Sequence, residues 1–247
     1  MSHHSMFQGY FKKFEEVKRS SNIFNDNFWI NREFSKIQKL KKQKPHEINL
    51  SRDYPLLVAA SIISGENKKL KIIDFGGGLG KGYLSISRGL KNKNISYIII
   101  DLPEVCKFGK KLFKNEKKIT FLYEIPSIHG CDIFHFGSCM QYIENWKLLI
   151  DRSCKIKSKY IIFSDLIAGD IKSFVTAQKF NQITMPYKFY NINQIIKFIK
   201  KRGYELILRN NYQVNFNGVL ALLPTKKFPK ESRLQYSSNL IFKKNET

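Results

Sequence analysis

From residue 70 onward, short and almost unbroken apolar runs alternate with stretches whose apolar positions recur every three or four residues. The first kind, at residues 70–75, 96–101, 119–123, 132–136 and 160–163, predicts strands buried on both faces. The second kind, at residues 81–90, 104–113 and 143–154, predicts helices laid over those strands. That alternation is the pattern of an α/β fold, a doubly wound parallel sheet with helices on both faces. Residues 165–190 interrupt it. They are too long for an ordinary strand-to-helix connection, and long connections in compact domains carry function, so they read as a recognition insert. Residues 193–201 then predict a helix, and 203–209 and 219–223, with Asn-rich turn residues between them, predict a closing antiparallel hairpin. Residues 226–247 are polar and basic and read as a peripheral tail. Upstream, residues 7–17 and 24–40 carry aromatic and apolar residues at helical spacing, so 1–50 read as a helical extension, a lid or a dimer arm. A helix at 56–64 opens the main domain, 51–225, and no internal repeat is present.

The chemistry centres on Lys71-Ile72-Ile73-Asp74-Phe75-Gly76-Gly77-Gly78-Leu79-Gly80. An apolar run leads into an acid, then four glycines in five positions, then a helical segment: strand, tight turn, helix. Unpaired N–H groups at the start of such a helix face whatever is bound. A phosphate-binding G-x-x-x-x-G-K-[ST] loop fails here, because Gly80-Lys81 would need Phe75 to be glycine and Gly82 to carry a hydroxyl. The dinucleotide G-x-G-x-x-G pattern fails at its third glycine, which falls on Lys81 or Tyr83. The pattern that fits is D-x-G-x-G-x-G, on Asp74, Gly76, Gly78 and Gly80. Asp101 follows at the tip of the second strand, where nucleotide-binding α/β folds place an acid against ribose hydroxyls. The bland alternative is that Asp101 only caps the helix whose first turn holds Pro103.

The glycine turn resembles the first motif of class I S-adenosylmethionine (SAM) methyltransferases. The resemblance implies a Rossmann-like, mostly parallel seven-stranded sheet ending in an antiparallel hairpin, with SAM as cofactor. It also implies that Asp74, Gly76, Gly77 and Gly78 lie against the methionine part and that Asp101 and Leu102 hold the ribose. Tyr123 and Glu124 are implied to sit by adenine, and Ser138 and Gln141 near the methionine end or the acceptor. A narrower resemblance, to bacterial methyltransferases associated with surface-polysaccharide gene clusters, covers residues 6 to 223. It is carried by Met6-Phe7-Gln8-Gly9-Tyr10, the glycine turn, Gly137-Ser138-Cys139-Met140-Gln141-Tyr142-Ile143, Gln178, Pro186, Asn191 and Gly203-Tyr204-Glu205-Leu206. The chain departs from that family at Ser164-Asp165 and at Lys188, where the resemblance implies that the acceptor binds, so the family's acceptor does not carry over.

Composition narrows the rest. The chain has 247 residues, 43% of them apolar, enough for one large domain with an extension. No apolar run approaches a membrane span and no charged-then-apolar leader opens the chain, so the expected compartment is the cytoplasm. The four cysteines form no C-x-x-C pair, which argues against a metal site and a disulfide framework. A net charge of +23 points to an anionic acceptor, to nucleic acid or to an anionic membrane surface. Lysines spread over the whole chain, and a composition rich in Ile, Asn and Lys, weaken the case for nucleic acid. The Asn/Asp-Pro-Pro-aromatic loop of amino-methylating base enzymes is also missing, since Gly137-Ser138-Cys139-Met140 stands in its place.

A hydroxyl acceptor benefits from a general base. His129 and His46 are candidates for that role, against the alternative of solvated structural histidines, while mid-strand His135 reads as buried and satisfied. Gln178 and Tyr187, in the insert, are placed to bind the acceptor. A phosphate-like or phosphoramidate acceptor, already ionised, needs no base. The readings that remain are an O-methyltransferase for a small or carbohydrate-linked acceptor, a nucleic-acid methyltransferase, and a non-catalytic SAM-binding component of a glycan-assembly complex.

Overall fold

The structure, a computed structural model, describes residues 6–21, 23–43, 54–64, 69–90, 94–180, 182–216 and 219–246. In chain order it runs β1 (Phe7–Phe11), α1 (Asn27–Lys42), α2 (Tyr54–Ser64), β2 (Leu70–Phe75), α3 (Lys81–Gly89), β3 (Ile95–Ile100), α4 (Pro103–Leu112) and β4 (Ile119–Leu122). It continues with β5 (Ile133–Gly137), α5 (Trp146–Lys155), β6 (Tyr160–Leu166), β7 (Ala168–Gly169), β8 (Phe174–Phe180), β9 (Ile183–Asn191) and α6 (Ile192–Lys200). β10 (Tyr204–Tyr212), β11 (Val214–Phe216), β12 (Val219–Ala221) and β13 (Ser237–Lys244) complete the order. No helix among the described residues is long and apolar enough to cross a membrane.

The main sheet has seven strands in the order β10-β13-β6-β5-β2-β3-β4. β2, β3, β4, β5 and β6 pair in parallel, as their unbroken apolar runs predict. One face packs Leu56, Ala60, Ile86 and Val105 from the helices against Ile72, Tyr97 and Ile99. The other packs Ile150, Ile195 and Ile199 against Ile73, Phe134 and Phe163. Local chemistry sets the helix starts: Asp26, Asn145 and Asn191 each accept a hydrogen bond from a backbone N–H of the first turn. The chain leaves β2 for β3 and β4 on one side, then returns to β5 and β6 on the other. The reversal opens a crevice at the carboxyl ends of β2 and β5, where ligands of such sheets bind.

Two expectations about the C-terminus fail together. Residues 219–223 do not close the sheet against 203–209: β12 pairs with β11 in a separate ribbon. The partner of β10 is β13, which lies antiparallel between β10 and β6. The segment read as a peripheral tail is thus an inner strand. Only Leu240, Ile241 and Phe242 are apolar in it, and the other buried positions, Ser237, Ser238 and Asn239, are polar. Each of those three finds a partner across space: Asp165 Oδ1, the Ala168 carbonyl and the Asp165 N–H. A hydropathy pattern cannot register burial that tertiary hydrogen bonds make affordable.

The N-terminal extension also departs from its helical reading. Its first element is β1, which pairs antiparallel with β8 in a second sheet of order β1-β8-β9-β7. The insert supplies the other three strands. Phe7, spaced as if for a helix, instead enters an aromatic cluster with Tyr187, Phe189 and Phe228. The Thr176 hydroxyl bonds the Gln8 and Gly9 carbonyls at 3.1 and 2.8 Å, and β8 provides the ladder partners that local spacing ignores. Among the described residues of the extension α1 is the one α-helix, with single 3-10 turns at Phe14–Glu16 and Ile23–Asn25 ahead of it.

Candidate functional site

The glycine turn stands at the end of β2, over the crevice. Gly76 N–H donates to the Ile100 carbonyl at 2.8 Å, tying the turn to the tip of β3. Gly76 has φ +71°, and a Cβ there would lie 2.4 Å from the Cβ of Cys139, on the loop after β5. Gly78 has φ +58°, and a Cβ there would meet nothing within 4 Å, so the turn offers bare backbone to open space.

Asp101 sits directly beyond β3. Its Oδ2 accepts from Gly78 N–H and its Oδ1 from Leu102 N–H, both at 2.8 Å. The carboxylate has further lone-pair positions for hydroxyl donors. Burial pushes its pKa up to about 6, against the opposing pull of the two N–H bonds. Tyr123 and Glu124 follow β4 on the same side, and the Tyr123 ring is 65% exposed, an aromatic face open to a planar ligand.

Asp74 has a different place from the one expected. It is 2% exposed, and protein groups hold both carboxylate oxygens beneath the turn. The Tyr97 hydroxyl donates to Oδ2 at 2.6 Å, and His135 Nδ1 lies 2.8 Å from Oδ1. With Nδ1–H donating to the carboxylate, His135 Nε2 accepts from the Ser164 hydroxyl at 2.9 Å. This buried chain spans β3, β2, β5 and β6 and makes Asp74 the anchor of the turn. His135 is the satisfied core histidine that its mid-strand position predicts. Replacing it by Ala leaves Asp74 and Ser164 buried without their partner, and the expected cost is about 3 kcal/mol of folding stability, read by denaturant unfolding.

A second polar cluster lies at the ends of β5 and β6. Ser138 (φ +51°) and Asp165 (φ +54°) both hold the left-handed conformation that side chains seldom adopt. The Ser138 hydroxyl donates to Asp165 Oδ2 at 2.8 Å, and the Ser237 hydroxyl to Oδ1 at 2.7 Å. Gln141 Nε2 donates to the Ser138 carbonyl at 2.8 Å, which fixes the orientation of the amide, because only an NH2 can face that oxygen. Gln141 Oε1 is then a buried acceptor without a partner among the described residues. The result is a half-buried hydroxyl, Ser138, backed by a buried carboxylate.

Above this cluster the two sheets meet. The Tyr142 hydroxyl donates to Gln178 Oε1 at 2.9 Å, and its ring stands edge-on to Tyr187 at 5.4 Å and to Phe24 at 5.0 Å. The structure therefore brings Gln178 and Tyr187 together with the loop after β5. Lys188 points the other way, over the Phe14 and Tyr190 rings, where burial lowers its pKa.

His129 is not part of the site. It is exposed and precedes β5, where the neighbouring Gly130 N–H donates to the Ile156 carbonyl before β6. That is the amino end of the sheet, about 17 Å from the crevice by the length of a five-residue strand. His46 lies outside the described residues. The sequence singled out neither Tyr97 nor Phe24, and it gave Ser164, Asp165 and Tyr142 a place at the site but no individual role. Ser164, Asp165 and Tyr142 stand in segments expected at the strand ends, while Tyr97 and Phe24 carry no local signal.

No family model matches the chain. No curated protein matches it either. Solved structures do. A SAM-dependent methyltransferase from Methanosarcina mazei is similar with a TM-score of 0.54 at 13% identity, over 75% of this chain and 98% of that one. An O-methyltransferase family protein from Burkholderia thailandensis gives 0.53 at 11% identity, over 91% of this chain and 62% of that one. LepI, in a complex with SAM, gives 0.50 at 14% identity, over 90% of this chain and 53% of that one. At these identities the likeness concerns architecture, and the architecture is the α/β fold of SAM-dependent methyltransferases.

Proposed function

We propose that the chain binds SAM in the crevice and is a methyltransferase that methylates an oxygen of a small or carbohydrate-linked acceptor. A sugar hydroxyl, or a phosphate or phosphoramidate group, in surface-polysaccharide synthesis is the acceptor class in view. One observation carries the reading: the Asp101 carboxylate at the tip of β3, clamped by Gly78 N–H beside a turn with open space above it. The fit to SAM is good in kind. Asp101 and Leu102 would hold the ribose, Tyr123 and Glu124 would flank the adenine, and Gly76, Gly77, Gly78, Ser138 and Gln141 would line the methionine end.

Bound SAM supplies an electrophilic methyl group on a sulfonium. The protein's part is to hold the acceptor oxygen in line with that methyl and to exclude water. Ser138, backed by Asp165, is the hydroxyl that would accept a hydrogen bond from the acceptor, in place of His129 at the other end of the sheet. Gln178 and Tyr142, both half-buried, would offer amide and aromatic surface to a sugar, while Tyr187, only 5% exposed, packs behind them as support. Phe24, from the turn ahead of α1, closes on Tyr142 and suits the N-terminal segment to a lid.

The raised pKa of Asp101 gives a pH dependence. Ribose hydroxyls donate to the ionised form, and with a pKa of about 6 that form rises from roughly a tenth to nine-tenths between pH 5 and 7. SAM affinity is expected to rise about tenfold over that interval and then level off, and Asp101→Asn to show no such rise in calorimetric titrations. The folding contribution has the opposite sign. An acid raised in the fold above its unfolded value near 4 makes stability fall as pH climbs from about 4 to 6.

The acceptor class is tested by offering the enzyme SAM carrying a tritiated methyl, with pools of phosphorylated sugars and nucleotide sugars, and separately with transfer RNA and DNA. Label in the sugar pool is the expected result. Label in nucleic acid alone would replace this acceptor class with the runner-up, and SAM binding without transfer to any pool would favour a non-catalytic role.

A further inference from the structure

α1 and α4 lie side by side. Phe34 meets Phe108 edge-on at 5.9 Å, Lys111 lies over the Phe34 ring at 5.9 Å, and the Lys41 ammonium sits 4.5 Å above the Phe113 ring. The pair joins two of the chain's basic runs into one face. Residues 27–43 and 103–118 together hold eleven Lys and Arg against three Asp and Glu.

The arrangement on each helix is regular. On α4 and the turn that follows it, Lys107, Lys110, Lys111 and Lys114 follow i, i+3, i+4, i+7 spacing, and all four are exposed. On α1, Phe28, Lys39 and Lys42 share a face by the same geometry, and Phe28 is 63% exposed. Lys39, Lys42, Lys110 and Lys114 have no carboxylate partner among the described residues. Like charges at i, i+4 repel by a few tenths of a kcal/mol per pair, so the face carries uncompensated strain that a polyanion relieves.

We propose that this face is a docking surface for an anionic lipid bilayer. Three features favour a bilayer over nucleic acid. The cations are lysines with the single exception of Arg32, whereas planar, bidentate recognition of nucleic-acid phosphates favours arginine. The lysines stand exposed on the outer faces of the two helices, whereas single-stranded nucleic acid is held in a basic groove lined by stacking aromatics. A protruding aromatic on the basic face is the anchor that interfacial helices insert at the headgroup boundary. The surface does not depend on what the crevice binds.

The full chain is to be sedimented with phosphatidylcholine vesicles, and with vesicles containing about a third phosphatidylglycerol, near physiological salt. Binding to the anionic vesicles only is expected. Reversing Lys39, Lys42, Lys110 and Lys114 together to Glu should weaken it at least about a hundredfold, given the contribution of each lysine near such a surface. Reversing Lys179, Lys197, Lys200 and Lys201, on β8 and around the end of α6, should weaken it far less. Unchanged thermal midpoints in both variants verify folding. Equal loss in the two variants, or equal binding to neutral vesicles, overturns the proposal. Binding of duplex RNA by the wild type with no vesicle binding overturns it in favour of nucleic acid.

Discussion

Asp101→Ala is expected to weaken binding of SAM and S-adenosylhomocysteine at least about a hundredfold while leaving a folded protein. Two hydroxyl donors to one carboxylate are charge-assisted hydrogen bonds, each worth about 1.5–3 kcal/mol, and about 1.4 kcal/mol is a factor of ten. The variant also frees Gly78 N–H from the oxygen that fixes it, so the turn loses a tether as the ribose loses its acceptor. Stability should move little. The carboxylate that is lost was raised to about 6 by burial, so its removal relieves a desolvated charge even as Leu102 N–H loses its acceptor. Calorimetric titration gives the affinity and circular dichroism checks the fold. Retention of wild-type affinity by Asp101→Ala would remove Asp101 from the cofactor site.

The second large effect is structural. Truncation after residue 236 removes β13 and is expected to leave no cooperative unfolding transition. β13 pairs on both sides, so its loss strands β10 and exposes the edge of β6. Leu240 and Phe242 are fully buried and Ile241 nearly so. Emptying one such site costs about 2–5 kcal/mol, and three together reach the whole stability of an ordinary domain, about 5–15 kcal/mol. Asp165 also loses the Ser237 hydroxyl and Asn239. A peripheral tail would come away at no cost. A truncated protein with a sharp, wild-type-like melting transition would show that β13 is dispensable.

The contrast between those two regions shows where the sequence speaks. β2, β3 and β5 are legible because a central parallel strand must be apolar on both faces, and the turn after β2 because glycine takes φ +58° without strain and leaves the backbone bare to a ligand. Asp101 is legible because its place at a strand tip is a matter of counting. β13 is not legible, since half its burial is polar and its partners lie about 70 residues upstream in β6 and the turn beyond it. β1 is not legible either: its aromatics fit a helix as well as a strand, and β8, far along the chain, decides. Asp74 and His129 fail for a related reason. A motif gives the position of a carboxylate but not the Tyr97 and His135 groups that turn it inward, and a loop histidine carries no mark of the sheet end it occupies.

The central claim is that the crevice between β2, β3 and β5 is a SAM site. Calorimetric titration of S-adenosylhomocysteine into the wild-type protein tests it most directly. One saturable site per chain, in the micromolar range, with adenosine competing for it, is the predicted result. No heat and no competition from a protein with a cooperative melt would contradict it.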